Sequence, residues 1–393
     1  MVDFNFYAPT EVVFGKKSED KVAEMVKKYG GTKVLLHYGG QSAIRSGLLD
    51  KVKKNLEAAG IPYVALGGVV PNPHLSLVHE GIELCKKEGV DFCLAVGGGS
   101  VIDSLKGIAM GYYYDGDVWE IYATGKPIEK ALPVGCILTI PAAGSEMSSD
   151  SVVTNEDGLL KKGYGSNHLR CKFAIMNPER TYTLPAWQTA CGATDIMMHT
   201  MERYFSIEDD MDVTDRIAEA ILVSVKEAAP AALANPTDYH ARAQIMWAGS
   251  LAHNDLTGCG TIGDWATHHL EHELSGMFDV SHGAGLAAVW GSWARYTRSQ
   301  NIGRFARFAK NVMGVNTDGM SAEEAAEAGI QAMEAFYHSI GMPTSIHELL
   351  GKEITDEQIA EMADKASNYG KKTLGALKVL ERQDMVNIFT LAK

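Results

Sequence analysis

The chain changes character near residue 184, and this change constrains its fold more than any other feature. Before it, short apolar runs alternate with amphipathic stretches. The predicted strands are 33–38, 62–66, 91–96, 134–140 and 172–176, and residues 4–15 read as an opening strand or pair of strands. Strands that alternate with helices form parallel sheets with right-handed crossovers. Residues 1–184 are therefore predicted as an α/β domain.

From Leu184-Pro185 onward, apolar residues recur at the 3.6-residue spacing of helices, alanine is frequent and no convincing strand appears. Nine helices are predicted, with ends set to within a few residues: 185–206, 213–233, 238–256, 262–275, 283–297, 301–313, 321–340, 355–368 and 383–391. Residues 185–393 are therefore predicted as an all-α domain. Two domains also suit a chain of 393 residues, because a single core seldom grows to that size.

Charge and leader signals exclude two classes of partner. The formal net charge is -13, whereas nucleic-acid affinity depends on Lys and Arg, so no nucleic acid is expected. No basic and apolar leader opens the sequence, and no apolar run approaches the ~20 residues of a membrane span. The six cysteines include no Cys-x-x-Cys pair and are interpreted as reduced thiols. We expect a cytoplasmic protein with no membrane partner.

A metal site is indicated by one acid and several histidines. Asp195 and His199 lie four residues apart on a predicted helix, so their side chains share one face. His268 and His282 lie in a segment rich in histidine. One carboxylate with three neutral imidazoles suits Fe(II) or Zn(II) and leaves a position open for a substrate oxygen. The alternative is a surface acid with packed histidines, and spacing alone does not decide whether His268 or His272 would be the ligand.

The glycine turn Gly97-Gly98-Gly99-Ser100 joins the predicted strand 91–96 to a helix. Backbone N–H groups and a helix N-terminus at such a turn can hold a pyrophosphate. An ordinary strand-to-helix turn explains the glycines about as well, and the spacing is not that of the Gly-x-Gly-x-x-Gly fingerprint. The position after a buried strand favours the phosphate interpretation.

A second turn, Gly39-Gly40, follows the strand 33–38. Nucleotide-binding sheets often place an acid here, where it bonds the ribose 2′-hydroxyl of NAD. No acid is present, and Ser42 and Arg45 can instead receive a 2′-phosphate. The turn therefore favours NADP(H), with a surface turn and a solvated arginine as the alternative.

These features occur in one order together with Pro71-Asn72-Pro73, Asp103, Lys106 and the loop 139–146. The ordered set resembles the iron-containing (group III) alcohol dehydrogenase family, in particular its NADPH-dependent butanol dehydrogenase branch, over essentially the whole chain. The resemblance implies a dehydroquinate synthase-like fold. It assigns residues 1–184 to an α/β dinucleotide-binding domain and residues 185–393 to an all-helical metal-binding catalytic domain, and it implies a homodimer.

The resemblance also implies individual roles. The metal ligands fall on Asp195, His199, His268 and His282, with Fe(II) as the first expectation and Zn(II) as the alternative. His272 matches a histidine near the substrate that does not bind metal, and the NAD-selecting aspartate aligns with Gly40. Cofactor contacts are expected from a set of residues in the nucleotide domain: Gly39, Gly40, Ser42, Asn72, Gly98, Gly99, Ser100, Asp103, Thr139, Ser148 and Lys161.

The implied activity is that of a metal-dependent NADP(H) alcohol dehydrogenase and aldehyde reductase acting on small aliphatic substrates such as butanol and butyraldehyde. His272 is the best candidate in the sequence for supplying the proton. The alternative is a metal- and nicotinamide-dependent lyase or cyclase that resembles dehydroquinate synthase. Such an enzyme should carry Lys and Arg near the site for an acidic substrate, and residues 262–285 contain neither.

Overall fold

The structure is a computed structural model that describes residues 1–158 and 160–393, apart from the side chains of Gln41 and Ser42. The chain forms two compact units. One is Tyr7–Thr183, and the other is Leu184–Lys393 together with Met1–Phe6. Within the described residues, no helix is both long enough and apolar enough to cross a bilayer.

Within the described residues, the α/β unit contains eight strands and six α-helices. The strands are β1 (Glu11–Phe14), β2 (Val34–Tyr38), β3 (Tyr63–Leu66), β4 (Phe92–Gly97), β5 (Val134–Leu138), β6 (Asp150–Asn155), β7 (Leu160–Gly165) and β8 (Phe173–Met176). The helices are α1 (Val22–Lys28), α2 (Gln41–Arg45), α3 (Leu48–Ala58), α4 (Leu75–Glu88), α5 (Gly99–Gly111) and α6 (Trp119–Thr124). Six strands form a parallel sheet in the order β1-β8-β5-β4-β2-β3, and β6 and β7 form a separate antiparallel pair.

Burial explains why the central strands are almost continuously apolar. Every residue of β4 is buried, as expected for a parallel strand covered on both faces. Alternate side chains, including Phe92, Leu94 and Val96, pack with Val26 of α1 and Leu56 of α3 in one core cluster. The sheet is thus buried between helices, and the pairing of its strands fixes where the strand ends lie.

The direction in which the chain winds reverses between β2 and β4. β2 pairs with β3 on one side, whereas β4 pairs with β5 on the other. The register pairs Tyr38 with Val96 and Gly97 with Leu138, so the carboxyl ends of β2, β4 and β5 meet at one edge. Open α/β sheets bind ligands in the crevice outside such a reversal. The turns that follow these strands are the two glycine turns and Thr139.

The helical unit holds the remaining ten α-helices: α7 (Ala186–Tyr204), α8 (Asp212–Ala234), α9 (Tyr239–Ala252), α10 (Ala266–Phe278), α11 (His282–Thr297), α12 (Ile302–Phe308), α13 (Ala322–Ser339), α14 (Ile346–Leu350), α15 (Asp356–Ala366) and α16 (Arg382–Ala392). A π-helical turn, Ala309–Met313, continues α12. The predicted fold class, an α/β part followed by an all-helical part, is confirmed. The short helix α14 was not predicted.

α7 and α11 approach each other closely at the start of α11. A Cβ atom at Gly283 would lie 2.2 Å from the carbonyl oxygen of Cys191, so only glycine permits this contact between the two helix backbones. The approach brings His282, the first residue of α11, alongside the middle of α7. The glycine therefore contributes directly to the geometry of the site described below.

The opening segment differs from the prediction. Residues 1–10 have no regular structure, β1 begins at Glu11, and Met1–Phe6 belongs to the helical unit rather than to the α/β unit. The Val2 N–H donates to the Gly260 carbonyl over 3.0 Å, and Met1 packs against Gly260. The apolar and aromatic character that predicted a strand therefore serves, in its first residues, for packing on the helices.

Candidate active site

α7 presents one face of buried polar side chains. Asp195, His199 and Glu202 are at positions i, i+4 and i+7 of this helix, and each is at most 5% exposed. Helical spacing of 3.6 residues places these three side chains along one stripe. A stripe of buried acidic and basic side chains needs partners, because unpaired charge is costly away from water.

The partners of this stripe include one histidine on each of α10 and α11. The Nε2 atoms of His268 on α10 and His282 on α11 lie 3.7 and 3.8 Å from Asp195 Oδ1. The Nδ1 atom of His199 lies 3.4 Å from the same oxygen. Donor atoms that are each about 2.1 Å from one ion lie roughly 3 to 3.5 Å apart. The observed separations are therefore close to those of a metal site.

Three of the four residues form a tight group. One donor atom from each of Asp195, His268 and His282 lies within 4.8 Å of the others. His199 is not within that distance of every member, although its ring centroid is 4.6 Å from that of His268. The structure thus brings all four predicted ligands to one place, with His199 at its margin.

The atoms that face the centre of this group lack hydrogen-bond partners. Asp195 Oδ1, His199 Nδ1 and His268 Nε2 are all buried and unpartnered. Buried polar atoms are nearly always hydrogen-bonded in folded proteins. Three unpartnered donor atoms that converge on one point therefore fit a bound cation, and one acid with three imidazoles suits Fe(II) or Zn(II).

Electrostatics within the site agree with this arrangement. Burial opposes ionisation of Asp195, but contact with His268 and the charge of His282 bring its pKa below the ordinary value. Burial alone would lower the pKa of His268, yet Asp195 and Glu202 together raise it to about 9. Burial and the neighbouring histidines hold the pKa of His199 well below its usual range. The centre thus favours a positive charge close to Asp195.

Two carboxylates contact the ligand histidines on the side away from Asp195. Glu202 Oε1 lies 2.9 Å from His268 Nδ1, and Glu271 Oε2 bonds His282 Nδ1. Neither acid was singled out from the sequence. For Glu202 the sequence did contain a signal, because this acid follows Asp195 by seven residues and so lies on the same face of the predicted helix. Glu271 gave no comparable signal, because its partner His282 lies on another helix.

His272 lies beside this group. It belongs with Glu271 and His282 to a second set whose ligand atoms are within 4.8 Å of one another. Its ring centroid is 5.8 Å from that of His282, and the side chain is partly buried. His272 is not a member of the group around Asp195, whereas His268 is.

Trp265 forms one wall of the site and was also missed. Its ring lies edge-on to His268 with 5.4 Å between centroids, and the Arg203 guanidinium stacks over it at 4.5 Å. The residue has φ 61, a left-handed conformation that is rare for a bulky side chain. The strain places the indole against the histidines at the start of α10.

The predicted phosphate turn lies at the sheet reversal. Gly98 directly precedes α5, and Gly99 is its first residue. A Cβ atom at Gly98 would lie 3.1 Å from Ile140 Cβ, and one at Gly99 would lie 3.0 Å from Ala143 Cβ. The two glycines thus allow close approach of the loop after β5, and Ser100 continues the first turn of the helix.

Asp103 and Ser148, both predicted to contact the cofactor, make bonds inside the α/β unit. Asp103 accepts from the Ser145 hydroxyl and, at 3.1 Å, from the Val152 N–H. Burial raises the pKa of Asp103 to about 6, against the opposing charge of Lys106. The Ser148 hydroxyl accepts from Asp150 N–H at 3.2 Å. These bonds show that both residues also shape the loop before β6.

The other predicted cofactor residues lie on turns and strands of the same unit. Gly39 and Gly40 follow β2, and a Cβ atom at Gly40 would meet nothing within 4 Å. Asn72 has φ 55, Thr139 donates its backbone N–H to Gly97, and Lys161 is on β7 opposite Thr154. The Ser42 side chain lies outside the described residues.

Comparison with known proteins gives the same family for both units. The model for iron-containing alcohol dehydrogenase matches residues 9–178, and the C-terminal model of the Fe-containing alcohol dehydrogenase family matches residues 189–392. A probable NADH-dependent butanol dehydrogenase of Bacillus subtilis is 41% identical over 99% of each chain. The NADPH-dependent aldehyde reductase of Escherichia coli is 36% identical over 95% of each chain.

A solved structure extends this likeness to three dimensions. The NADH-dependent butanol dehydrogenase A of Thermotoga maritima matches with a TM-score of 0.95 and 39% identity, over 99% of this chain and 98% of that one. The match covers both the parallel sheet and the helices that carry the histidines. The chain therefore belongs to the iron-containing alcohol dehydrogenase family, and its activity is that of a nicotinamide-dependent alcohol dehydrogenase.

Proposed function

We propose that this enzyme uses NADP(H) to reduce small aliphatic aldehydes such as butyraldehyde and to oxidise the corresponding alcohols. The observation that carries the proposal is the convergence of three unpartnered donor atoms, from Asp195, His199 and His268, on one buried point beside His282. The family supplies the reaction class, and two of its named members act on butanol or aldehydes. The lyase alternative is not favoured, because the relatives compared are dehydrogenases and reductases.

The proposed ion is Fe(II), with Zn(II) as the alternative, held by Asp195, His199, His268 and His282. When bound there, a divalent ion supplies a Lewis acid, and a bound nicotinamide supplies the hydride. Asp195 contributes the negative charge that offsets the cation. The three imidazoles are neutral ligands, so the ion and its four ligands would together keep a net positive charge, which favours a carbonyl oxygen.

His272 is proposed to hold the proton that the product alcohol takes up. Its side chain is partly buried and lies beside the ligand His282, with 5.8 Å between ring centroids. An imidazole is suited to this task because its ordinary pKa lies near neutral pH. The side chain would remain outside the metal ligands while being close enough to serve the substrate.

The metal and proton roles are tested by comparing three variants. His268→Ala and His282→Ala should abolish metal binding and turnover, because each removes one of four ligands. His272→Ala should keep the metal and lower kcat by about 10² to 10⁴, the usual contribution of a general acid. The assays are metal content after reconstitution and NADPH oxidation with butyraldehyde.

His240→Ala is the matched control, since His240 is exposed and lies on α9 outside the site. Its metal content and rate should equal those of the wild type. The opposite pattern, with metal lost in His272→Ala and kept in His268→Ala, would reverse the two assignments.

NADP(H) preference is proposed from the turn after β2. Gly40 has no carboxylate, open space surrounds its Cβ position, and the exposed Arg45 follows in α2. A 2′-phosphate would meet no negative charge at Gly40 and could pair with Arg45. The printed names of the relatives include both NADH and NADPH, so the choice rests on this turn.

Gly40→Asp should shift the preference toward NADH. The carboxylate would repel a 2′-phosphate and bond a 2′-hydroxyl, so kcat/KM for NADPH relative to NADH should fall by about 10-fold, the change that about 1.4 kcal/mol produces. Gly40→Ser adds a side chain without charge and serves as the control. A wild type that already prefers NADH would contradict the argument from the missing acid.

We also propose a homodimer. β1 is at the edge of the parallel sheet, and the unpaired N–H and C=O groups of an edge strand can pair with a second chain. Light scattering coupled to size-exclusion chromatography measures the assembly directly. A single species of 42.5 kDa would exclude the dimer.

A further inference from the structure

Two buried carboxylates contact the ligand histidines but point away from the metal centre. Glu202 is 1% exposed and Glu271 is fully buried. Burying a carboxylate is costly unless it is paired and hydrogen-bonded. Each of these acids contacts one histidine of the metal group. Nothing in the proposed chemistry requires either acid to touch substrate.

Glu202 holds His268 by two bonds to one oxygen. Its Oε1 atom accepts from the backbone N–H of His268 at 2.9 Å and lies 2.9 Å from the ring Nδ1. A carboxylate can only accept at this position, so Nδ1 carries a proton. The lone pair is then on Nε2, the atom that is unpartnered and 3.7 Å from Asp195 Oδ1.

Glu271 holds the imidazole of His282 in the same way as Glu202 holds that of His268. Its Oε2 atom bonds His282 Nδ1, and its Oε1 atom accepts from the Ser275 hydroxyl. The lone pair is again left on Nε2, which is 3.8 Å from Asp195 Oδ1. The serine bond fixes the carboxylate itself, so the imidazole has a fixed partner.

A glycine makes room for the second carboxylate. Gly285 lies one helical turn after His282. A Cβ atom at Gly285 would be 2.8 Å from Glu271 Oε1 and 2.9 Å from Glu271 Cγ. Any larger residue at this position would move the carboxylate or the helix. The segment His282-Gly283-Ala284-Gly285 thus carries one ligand and two glycines that each permit a specific contact of the site.

We propose that Glu202 and Glu271 are positioning residues that set the tautomer and orientation of the metal ligands His268 and His282. The proposal rests on the proposed metal site. Each acid is on a different helix from the histidine it holds: Glu202 of α7 holds His268 of α10, and Glu271 of α10 holds His282 of α11. The three helices are therefore coupled through the ligands before any ion binds.

Metal affinity separates this role from a purely structural one. Partners that orient ligand histidines typically contribute 10- to 100-fold to metal affinity. Glu202→Gln and Glu271→Gln keep the side-chain size but replace the carboxylate by a weaker acceptor. Each should weaken Zn²⁺ binding to the metal-free protein by about 10- to 100-fold, measured by competition with a chromogenic chelator.

Glu227→Gln is the control, because this acid is exposed on α8 and belongs to neither group of ligand residues. Its Zn²⁺ affinity should be that of the wild type. Gly285→Ala tests the same contact without changing charge, since the added methyl group displaces the Glu271 carboxylate. It should also weaken Zn²⁺ binding, and Glu271→Asp extends the test if a glutamine variant does not fold.

Three results have distinct meanings. Wild-type Zn²⁺ affinity in both glutamine variants, with binding lost in His268→Ala, would overturn the positioning role and leave the proposed function intact. A lower Tm of the metal-free glutamine variants with unchanged Zn²⁺ affinity would make the acids structural and would also overturn the proposal. A wild type that binds no Zn²⁺ or Fe(II) would instead remove the proposed function on which the proposal rests.

Discussion

Single buried residues determine how this protein responds to pH, and His37 shows the physical basis. The residue lies on β2 with no exposed surface. Its Nδ1 atom is 2.8 Å from the Leu66 carbonyl and its Nε2 atom is 2.9 Å from the Ser104 hydroxyl. Because a carbonyl only accepts, Nδ1 donates and Nε2 accepts. Burial lowers the pKa to about 4, and the bond to Leu66 only partly opposes this.

The folded protein should therefore lose stability in mild acid through His37. An unfolded histidine titrates near 6.5, so the unfolded chain takes up the proton first as the pH falls. The contribution is complete above about pH 6.5 and is lost as the pH falls toward 4. When the pH is lowered from 7.5 to 4.5, the free energy of unfolding should fall in both proteins. The fall should be about 2 to 3 kcal/mol smaller in His37→Gln than in the wild type.

Urea unfolding at the two pH values measures this difference. His240→Gln, which replaces an exposed histidine on α9 in the same way, is measured alongside as the control. Equal losses in the wild type and in His37→Gln would show that His37 is protonated without cost.

At the scale of elements, α5 holds the loop that precedes β6. The Lys106 side chain is fully buried, and its ammonium donates to the carbonyls of Ser145, Ser148 and Asp150 at 2.7, 3.0 and 2.8 Å. Asp103, one turn earlier on α5, bonds the same loop through Ser145. α5, which begins at the glycine turn, thus also holds the loop between β5 and β6 in place.

Lys106→Met should destabilise the α/β unit by about 3 kcal/mol, because three buried carbonyls lose a charged donor. The loop would relax, and KM for NADPH should rise as well. Urea unfolding and steady-state kinetics measure both effects. Lys54→Met, on the exposed side of α3, should change the free energy of unfolding by less than about 0.5 kcal/mol. An unchanged urea midpoint in Lys106→Met would show that the bonds from Lys106 to the three carbonyls do not stabilise the protein.

The same elements show what sequence patterns can and cannot predict. The strands of the parallel sheet were predicted because burial on both faces makes them apolar, as in β4. The hairpin of β6 and β7 was missed because β7 reads Leu-Lys-Lys-Gly-Tyr-Gly and has no buried residue. Its strands have neither an apolar run nor a strict alternation, so periodicity gave no signal.

At the scale of the whole molecule, the order of the two structural classes was predictable, since helical and strand periodicities differ along the chain. The candidate site was only partly predictable. Spacing along a helix gave Asp195 with His199, and the family resemblance gave His268 and His282. The carboxylates that contact those histidines come from other helices, and periodicity contains no information about contacts between helices.

The segment Met1–Phe6 has a consequence for how the molecule is made. It belongs to the helical unit, whereas the 177 residues that follow it, Tyr7–Thr183, form the α/β unit. Its partner Gly260 leaves the ribosome long after it. At 5–20 residues per second, the delay is on the order of 10 to 50 s, during which the α/β unit can complete its sheet. The bond between the Val2 N–H and the Gly260 carbonyl therefore forms only after that interval, so the first residues of the chain to be made are among the last to reach their final positions.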